Sequence, residues 1–290
     1  MPDERQTKNE KRDAAREQAR LTREKQKRQE RMRRWLIPTG VTVAVLAIVA
    51  IVVLVVTTSA PPPQSAAGPK NMISDGILFT GSGGKMTATT TGAVQASSTP
   101  TPHDLPSDGL AHIVTYVDFS CPACQAFEEA NADAIQQLVA QGHATLEVHP
   151  IAILDSHFTL GSNYSTRANN VGACVANFAP DSFYAVMEAM YAGQGKEQTA
   201  GLSNSQMISL VHGAGLKNGD VDKCINGETF KSWVTSATTR ATNGPLPNTT
   251  VTNVQGTPTV LVNGQQYPLT GDALTNPATF SAFVQQVLAG

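Results

Sequence analysis

The chain has 290 residues, 41% hydrophobic and 15% charged, and a net charge of −2 at pH 7 that conceals a strong asymmetry. Residues 1–34 carry 13 Lys+Arg against 7 Asp+Glu, whereas the remainder carries 8 against 16. Neither aromatic residues nor a recognition motif accompany the basic charges, which weighs against a nucleic-acid partner and for a solvated arm, and four cysteines with one close pair do not make the two-pair pattern of a zinc site.

In chain order, residues 1–34 are polar on all faces, with Glu24/Arg28 and Glu30/Arg34 at helical i,i+4 spacing. They read as a solvated cytoplasmic arm. Residues 35–58 read as a transmembrane signal anchor. Their core, "WLIPTGVTVAVLAIVAIVVLVV", is 22 residues without a charge. At about 1.5 Å per residue it crosses a hydrocarbon layer of roughly 30 Å. The positive-inside rule holds the arm in the cytoplasm and sends the rest of the chain outside. A cleaved signal peptide is the competing reading, but the basic region is too long for one and the small-residue candidate "TSA" runs into "PPP".

Residues 59–71, rich in Pro, Ala and Ser, read as a semi-extended linker, and residues 72–290 as the outer domain. "GILFT" is a short strand, followed by about 30 residues of Gly, Thr, Ser and Pro that predict a long surface loop with room for a hairpin. "HIVTYV" suits a central strand covered on both faces. Phe127, Ala130, Ala134 and Leu138 then recur at helical intervals up to Gly142, and "ATLEVHP" alternates as a strand with Thr145, Glu147 and His149 on the polar side. Strand, helix, strand implies parallel pairing through a right-handed crossover.

Residues from about 156 to 245 are helical in period, in four segments, with a capping box at Ser203 and Gln206 in the third and "DVDKCINGETFKSWV" as the fourth. "PTVLVNGQQYPL" is a hairpin turning at Asn263 and Gly264, and Asn276 and Pro277 open a last helix. The histidines at 103, 112, 143, 149, 157 and 212 show no ligand spacing and read as surface or strand-end residues.

The cysteines carry the chemistry. Cys121 falls where a strand gives way to a helix, so its sulfur meets unpaired N–H groups and the positive end of the helix dipole, which favour the thiolate. Cys124 lies one turn on, within disulfide reach, and Pro122 suits the first turn. As a mere staple this pair would constrain little of the unfolded chain. Cys174 and Cys224, 50 residues apart and each in a helical segment, read as a structural bridge, with a second redox pair as the alternative.

"DFSCPAC", followed about 130 residues later by "GTPTVLVNG", resembles the DsbA-like thiol:disulfide oxidoreductases of the thioredoxin superfamily. The resemblance covers residues 72–290. It implies an α/β thioredoxin fold with an inserted α-helical subdomain at about 156–245, here preceded by one transmembrane helix. It implies Cys121 and Cys124 as the catalytic pair, supported by Pro122, Ala123, Thr257 and Pro258, with Pro258 in cis and the Thr257 backbone pairing with an extended substrate peptide. Two departures stand out. Many such proteins carry a buried acid six residues before the first cysteine, where this chain has Thr115 and its nearest acid is Asp118. The most oxidising ones place a histidine where this chain has Ala123, which implies a milder oxidant.

The expected activity is therefore extracytoplasmic disulfide donation to secreted or envelope proteins with cysteines, from a membrane-held enzyme that needs no bound cofactor. Its implied redox partner is a quinone-linked membrane oxidase of the DsbB or vitamin K epoxide reductase type. A reductase or isomerase on the same fold, and a binding module with purely structural cysteines, are the rival readings.

Overall fold

The computed structural model describes residues 67–289, together with Glu24, Lys25 and Lys27. The rest of the basic arm and the apolar segment at 35–58 lie outside the described residues, and among those described no helix is long and apolar enough to cross a membrane. Within the stretch read as linker, the Gly68 amide donates to the Val94 carbonyl and the Asn71 side-chain amide to the Ala176 carbonyl, each at 2.8 Å.

Runs of β-branched and aromatic residues build a six-stranded sheet. Its strands are β1 (Ile77–Ser82), β2 (Lys85–Ala88), β3 (Ala111–Val117), β4 (Ala144–Pro150), β5 (Thr259–Val262) and β6 (Gln265–Gln266), in the spatial order β2-β1-β4-β3-β5-β6. β3 and β4 pair in parallel and the other neighbours antiparallel. The crossover between β3 and β4 is α1 (Pro122–Ala140). After β4 come α2 (Tyr164–Phe178), α3 (Phe183–Ala192), α4 (Asn204–Gly213), α5 (Gly219–Asn226) and α6 (Lys231–Asn243), and α7 (Pro277–Ala289) follows the β5–β6 hairpin. Ser203 and Gln206 form a reciprocal capping box at α4, and Asn263 and Gly264 both take positive φ in the hairpin turn, as their residue types favour.

Side chains from the two faces of the sheet enter two cores. Ile113, Val117, Leu146, Val148 and Val260 belong to the larger, with Phe127 and Ile135 of α1 and Phe280 and Val284 of α7. Tyr116 and Leu261, from the other face, pack with Ile151, Ala241, Leu246 and Val254 in the smaller. The chain before β1 is tied to α6 by Asp75, which accepts from the Trp233 indole at 3.0 Å and from the Arg240 guanidinium at 2.6 and 2.8 Å.

Two expectations need correction. The segment "DVDKCINGETFKSWV" is two helices: the Gly227 amide closes α5 on the Lys223 carbonyl, and Glu228 takes a φ of 47°, which a right-handed helix interior does not admit. The alternation in β4 does not mark a solvent face either. Glu147 and His149 are buried, as is His112, because both faces of the central strands are covered. Glu147 accepts from Ser74 at 2.5 Å and lies 3.1 Å from both His103 and His149.

A disulfide joins Cys174 of α2 to Cys224 of α5 across a separation of 50 residues. Replacing both by serine should lower the unfolding free energy by about 2–4 kcal/mol, because a loop of this length loses its closure constraint in the unfolded chain. Urea denaturation under non-reducing conditions measures the change. Thiol reactivity at Cys121 should survive it. A second expectation concerns acid. Burial works to raise the Glu147 pKa, but the surrounding imidazoles and hydroxyl outweigh it and hold the carboxyl below its usual range. A depressed folded value stabilises the fold above the unfolded pKa of about 4.3, and that stability is lost as pH falls further. Glu147→Gln should remove this portion of acid destabilisation, read as a flatter dependence of the urea midpoint on pH below about 4.3.

Candidate active site

β3 ends at Val117, and the chain turns through Asp118 to Cys121 before entering α1. The turn closes with the Cys121 amide donating to the Asp118 carbonyl at 2.9 Å. Cys121 is the N-cap, with extended backbone angles (φ −89°, ψ 119°), and Pro122 takes the first helical position, where a missing N–H leaves nothing unpaired. The Cys121 sulfur therefore lies at the open amides of the helix N-terminus. Cys124 follows one turn later, and both are free thiols. Cys121 retains 6% exposure and Cys124 none, so an incoming thiol meets Cys121 alone.

The loop before β5 comes to the same place. The Cys121 thiol donates to the Thr257 carbonyl at 3.3 Å, and the Thr257–Pro258 peptide is cis. Residues 136 positions apart thus share one site because β5 pairs with β3, register Tyr116 with Thr259 and Thr115 with Val260. The Thr257 hydroxyl is buried with no geometrically complete hydrogen bond of its own. It still lies close enough to help the thiolate. The Cys124 thiol, the Thr257 side chain and the amides of Cys124 and Ala123 together hold the Cys121 pKa down at about 6 against the effect of burial. Ala123 contributes its amide and apolar packing, and its methyl side chain adds no donor. Cys124 is the reverse case. Burial pushes its thiol well up, and the neighbouring Cys121 sulfur adds to the rise.

Beneath the pair sits Asp118, fully buried. One carboxylate oxygen accepts from the Ser120 amide (2.9 Å), the Ser120 hydroxyl (2.7 Å) and the Asn169 side-chain amide (3.0 Å). The other accepts from the Ile153 amide (2.9 Å), the Leu154 amide (3.2 Å) and the Ser165 hydroxyl (2.5 Å). Burial raises the Asp118 pKa and these donors oppose the rise. Thr115, at the position where the resemblance would place an acid, is buried with no partner for its hydroxyl.

Two clefts flank the N-terminal half of α1. One of about 360 Å3 lies beside Pro122 and Gln125, against Gln194, Lys196 and Glu197. The other, of about 200 Å3, runs between α1 and α3 and is lined by Glu128, Asp133, Glu188 and Tyr191. A separate cavity of about 330 Å3 lies around Tyr116, Arg240 and Pro245, and no cysteine lines it. Cys174 and Cys224 are bonded to each other in the helical insertion. Among the described residues, no group of three or more His, Cys, Asp or Glu is placed to hold a metal ion.

Sequence reasoning passed over Glu128 and Tyr191. A signal for Glu128 was present: it lies at i+4 from Cys124 on the face that carries Phe127 and Ile135, where a charge is out of pattern. Tyr191 carried no such mark, since aromatic residues are ordinary core material.

Titrating the reduced protein by thiolate absorbance should show one inflection near pH 6 from Cys121, with Cys124 still protonated at neutral pH. Thr257→Val should move that inflection upward, since it removes a hydroxyl that favours the thiolate. An unmoved inflection would assign the low value to the helix terminus and Cys124 alone.

A family model described as thioredoxin matches residues 107–286. Among solved structures, reduced DsbA from Mycobacterium tuberculosis aligns with 26% identity and a TM-score of 0.51, over 74% of this chain and 93% of its own. Oxidised BdbD from Bacillus subtilis aligns with 16% identity and a TM-score of 0.51, over 79% and 100%, a likeness of fold. Among curated proteins no match is found. The α/β core with its helical insertion is the arrangement the resemblance implied. The chain belongs to the thioredoxin family and is a DsbA-like thiol:disulfide oxidoreductase.

Proposed function

We propose that this enzyme works outside the cytoplasm, held at the membrane by residues 35–58, and donates the Cys121–Cys124 disulfide to secreted or envelope proteins that carry free cysteines. A substrate thiolate attacks the Cys121 sulfur, the disulfide breaks, and its electron pair leaves on Cys124. The mixed disulfide on Cys121 is then attacked at the substrate sulfur by a second substrate thiol, which releases Cys121 as a thiolate and leaves the substrate oxidised.

The observation that carries this reading is the difference between the two sulfurs. Cys121 is the one an incoming thiol can reach and is held near pKa 6, which makes it a good leaving group and stabilises the reduced enzyme. A stabilised reduced form is an oxidant. The Thr257 carbonyl lies 3.3 Å from the Cys121 sulfur, where an extended substrate segment would pair with this backbone. Reoxidation requires an electron acceptor, for which a quinone-linked membrane oxidase of the DsbB or vitamin K epoxide reductase type is the partner class. The protein itself needs no bound cofactor.

The test is the equilibrium potential of the Cys121/Cys124 couple against glutathione. A disulfide donor should fall between about −120 and −180 mV, with the absence of a side-chain donor at Ala123 placing it toward the lower end, whereas a value near −270 mV would make the enzyme a reductase.

A further inference from the structure

Pro122 follows the nucleophile directly and lines the cleft of about 360 Å3, so that cleft begins at the edge of Cys121. Its other wall is the loop that joins α3 to α4, which supplies Gln194, Gly195, Lys196 and Glu197. A polypeptide segment bonded through its cysteine to Cys121 advances about 3.4 Å with each residue. Its second or third residue therefore has the reach to cross this opening.

The loop is fixed in place. The Gln194 side-chain amide donates to the Phe119 carbonyl at 3.1 Å, which ties the loop to the turn that presents Cys121. The Gly195 amide donates to the Tyr164 hydroxyl at 2.9 Å, the Gln198 amide to the His157 carbonyl at 2.8 Å and the Thr199 hydroxyl to the Lys196 carbonyl at 2.6 Å. Gly201, at φ 67°, lies so close to the Tyr164 ring that a β-carbon there would stand 2.1 Å from it.

Charge at the cleft is left uneven. Glu197 is paired with His157 at 3.0 Å, and Gln125 on the opposite wall is neutral and donates to Glu129 at 2.8 Å. The Lys196 ammonium is exposed and forms neither an ion pair nor a hydrogen bond among the described residues. Residues 35–290 carry 8 Lys+Arg against 16 Asp+Glu, and Lys223, Lys231 and Arg240 each hold a carboxylate of this chain. Lys196 holds none, although acids outnumber bases around it. The cleft that starts at the nucleophile thus presents one uncompensated charge, and that charge is positive.

We propose that Lys196 is a specificity-determining residue, which favours substrate segments carrying an aspartate or glutamate two or three residues from the reacting cysteine by pairing with that carboxylate in the cleft. The proposal rests on thiol–disulfide exchange at Cys121 and leaves its covalent steps unchanged. An ammonium on a flexible four-carbon stem suits the task, since it accepts a carboxylate over a range of positions where a rigid fork would demand one geometry. The pair forms in contact with water, so its effect is modest and falls with salt.

The oxidised full-length protein is mixed with dithiol peptides that differ only in carrying Asp or Asn, placed two residues before or two residues after the first cysteine. Samples are quenched with acid, and loss of the Cys121–Cys124 disulfide is followed by mass. The unaltered chain is compared with Lys196→Gln and Lys196→Glu. An aspartate raises the pKa of a neighbouring thiol whatever protein it meets, so the deciding quantity is the Asp-to-Asn rate ratio in one chain divided by the same ratio in another. At one position or both, the ratio should fall about two- to fivefold in Lys196→Gln and further in Lys196→Glu. The difference should shrink at about 1 M salt, where charges are screened within about 3 Å. The Cys121 inflection near pH 6 should stay in place in Lys196→Gln. Equal ratios in all three chains at both positions overturn the proposal. So does an inflection that moves upward while both peptides slow alike, because Lys196 would then act on the thiolate and not on the substrate. If the unaltered chain oxidises none of the peptides, the exchange reading fails and the proposal with it, a result distinct from equal ratios.

Discussion

The carboxylate of Asp118 is the point on which the site depends. A carboxyl group taken fully out of water is tolerable only when its oxygens are hydrogen-bonded, and the six groups that bond to them come from three separate pieces of chain. Ser120 belongs to the turn into α1, Ile153 and Leu154 to the exit from β4, and Ser165 and Asn169 to the first two turns of α2. The demand of one buried carboxyl group thereby fixes the turn that makes Cys121 a helix cap. It also binds the helical insertion to the end of the sheet. Any loosening of these segments would leave polar groups unpaired in the interior, which costs more than the net worth of the hydrogen bonds themselves.

From that constraint follows the inequality of the two cysteines. They stand at the start of α1, three residues apart, yet one caps the helix beside its open amides and keeps some exposure while the other has none. Thioredoxin-type exchange depends on this inequality: one sulfur must be attackable and leave easily, and the other must wait protonated until the first is engaged. The insertion is more than a lid added to the core, since its Ser165 and Asn169 bond to the carboxyl group of the turn that leads into both cysteines. Burial raises the Cys124 thiol, so a proton must reach that sulfur when the disulfide opens.

The division of labour among the four cysteines was legible in the chain, because spacing and local structure decide it. Cys121 and Cys124 sit at a strand-to-helix junction that hydrophobic periodicity locates without tertiary information, and Pro122 confirms the helix start. The 50-residue gap between Cys174 and Cys224 marks a different kind of pair. Strand β3, the Asn263–Gly264 turn and the Ser203 cap are likewise short-range signals. Where reading failed, the reason was long-range. Alternation in "ATLEVHP" is the correct signature of a half-exposed strand, but the second face of the sheet is covered by α6 with its following loop and by the segments that carry Ser74 and His103, and Glu147 and His149 are buried there.

The sequence by itself determined a basic N-terminal arm before a 22-residue uncharged segment, an α/β core interrupted by helices, and a nucleophilic cysteine at a helix N-terminus, since each depends on composition or on residues within a few turns. Only the tertiary structure decided what surrounds that cysteine. Pairing of β5 with β3 brings Thr257 to Cys121 from 136 residues away. Docking of α3 on α1 brings Tyr191 and Glu128 to one cleft. Folding of α2 over the active-site turn brings Ser165 and Asn169 to Asp118 and buries its carboxyl group. Burial and electrostatic environment are properties of what packs against a residue, and no local pattern in the chain encodes them.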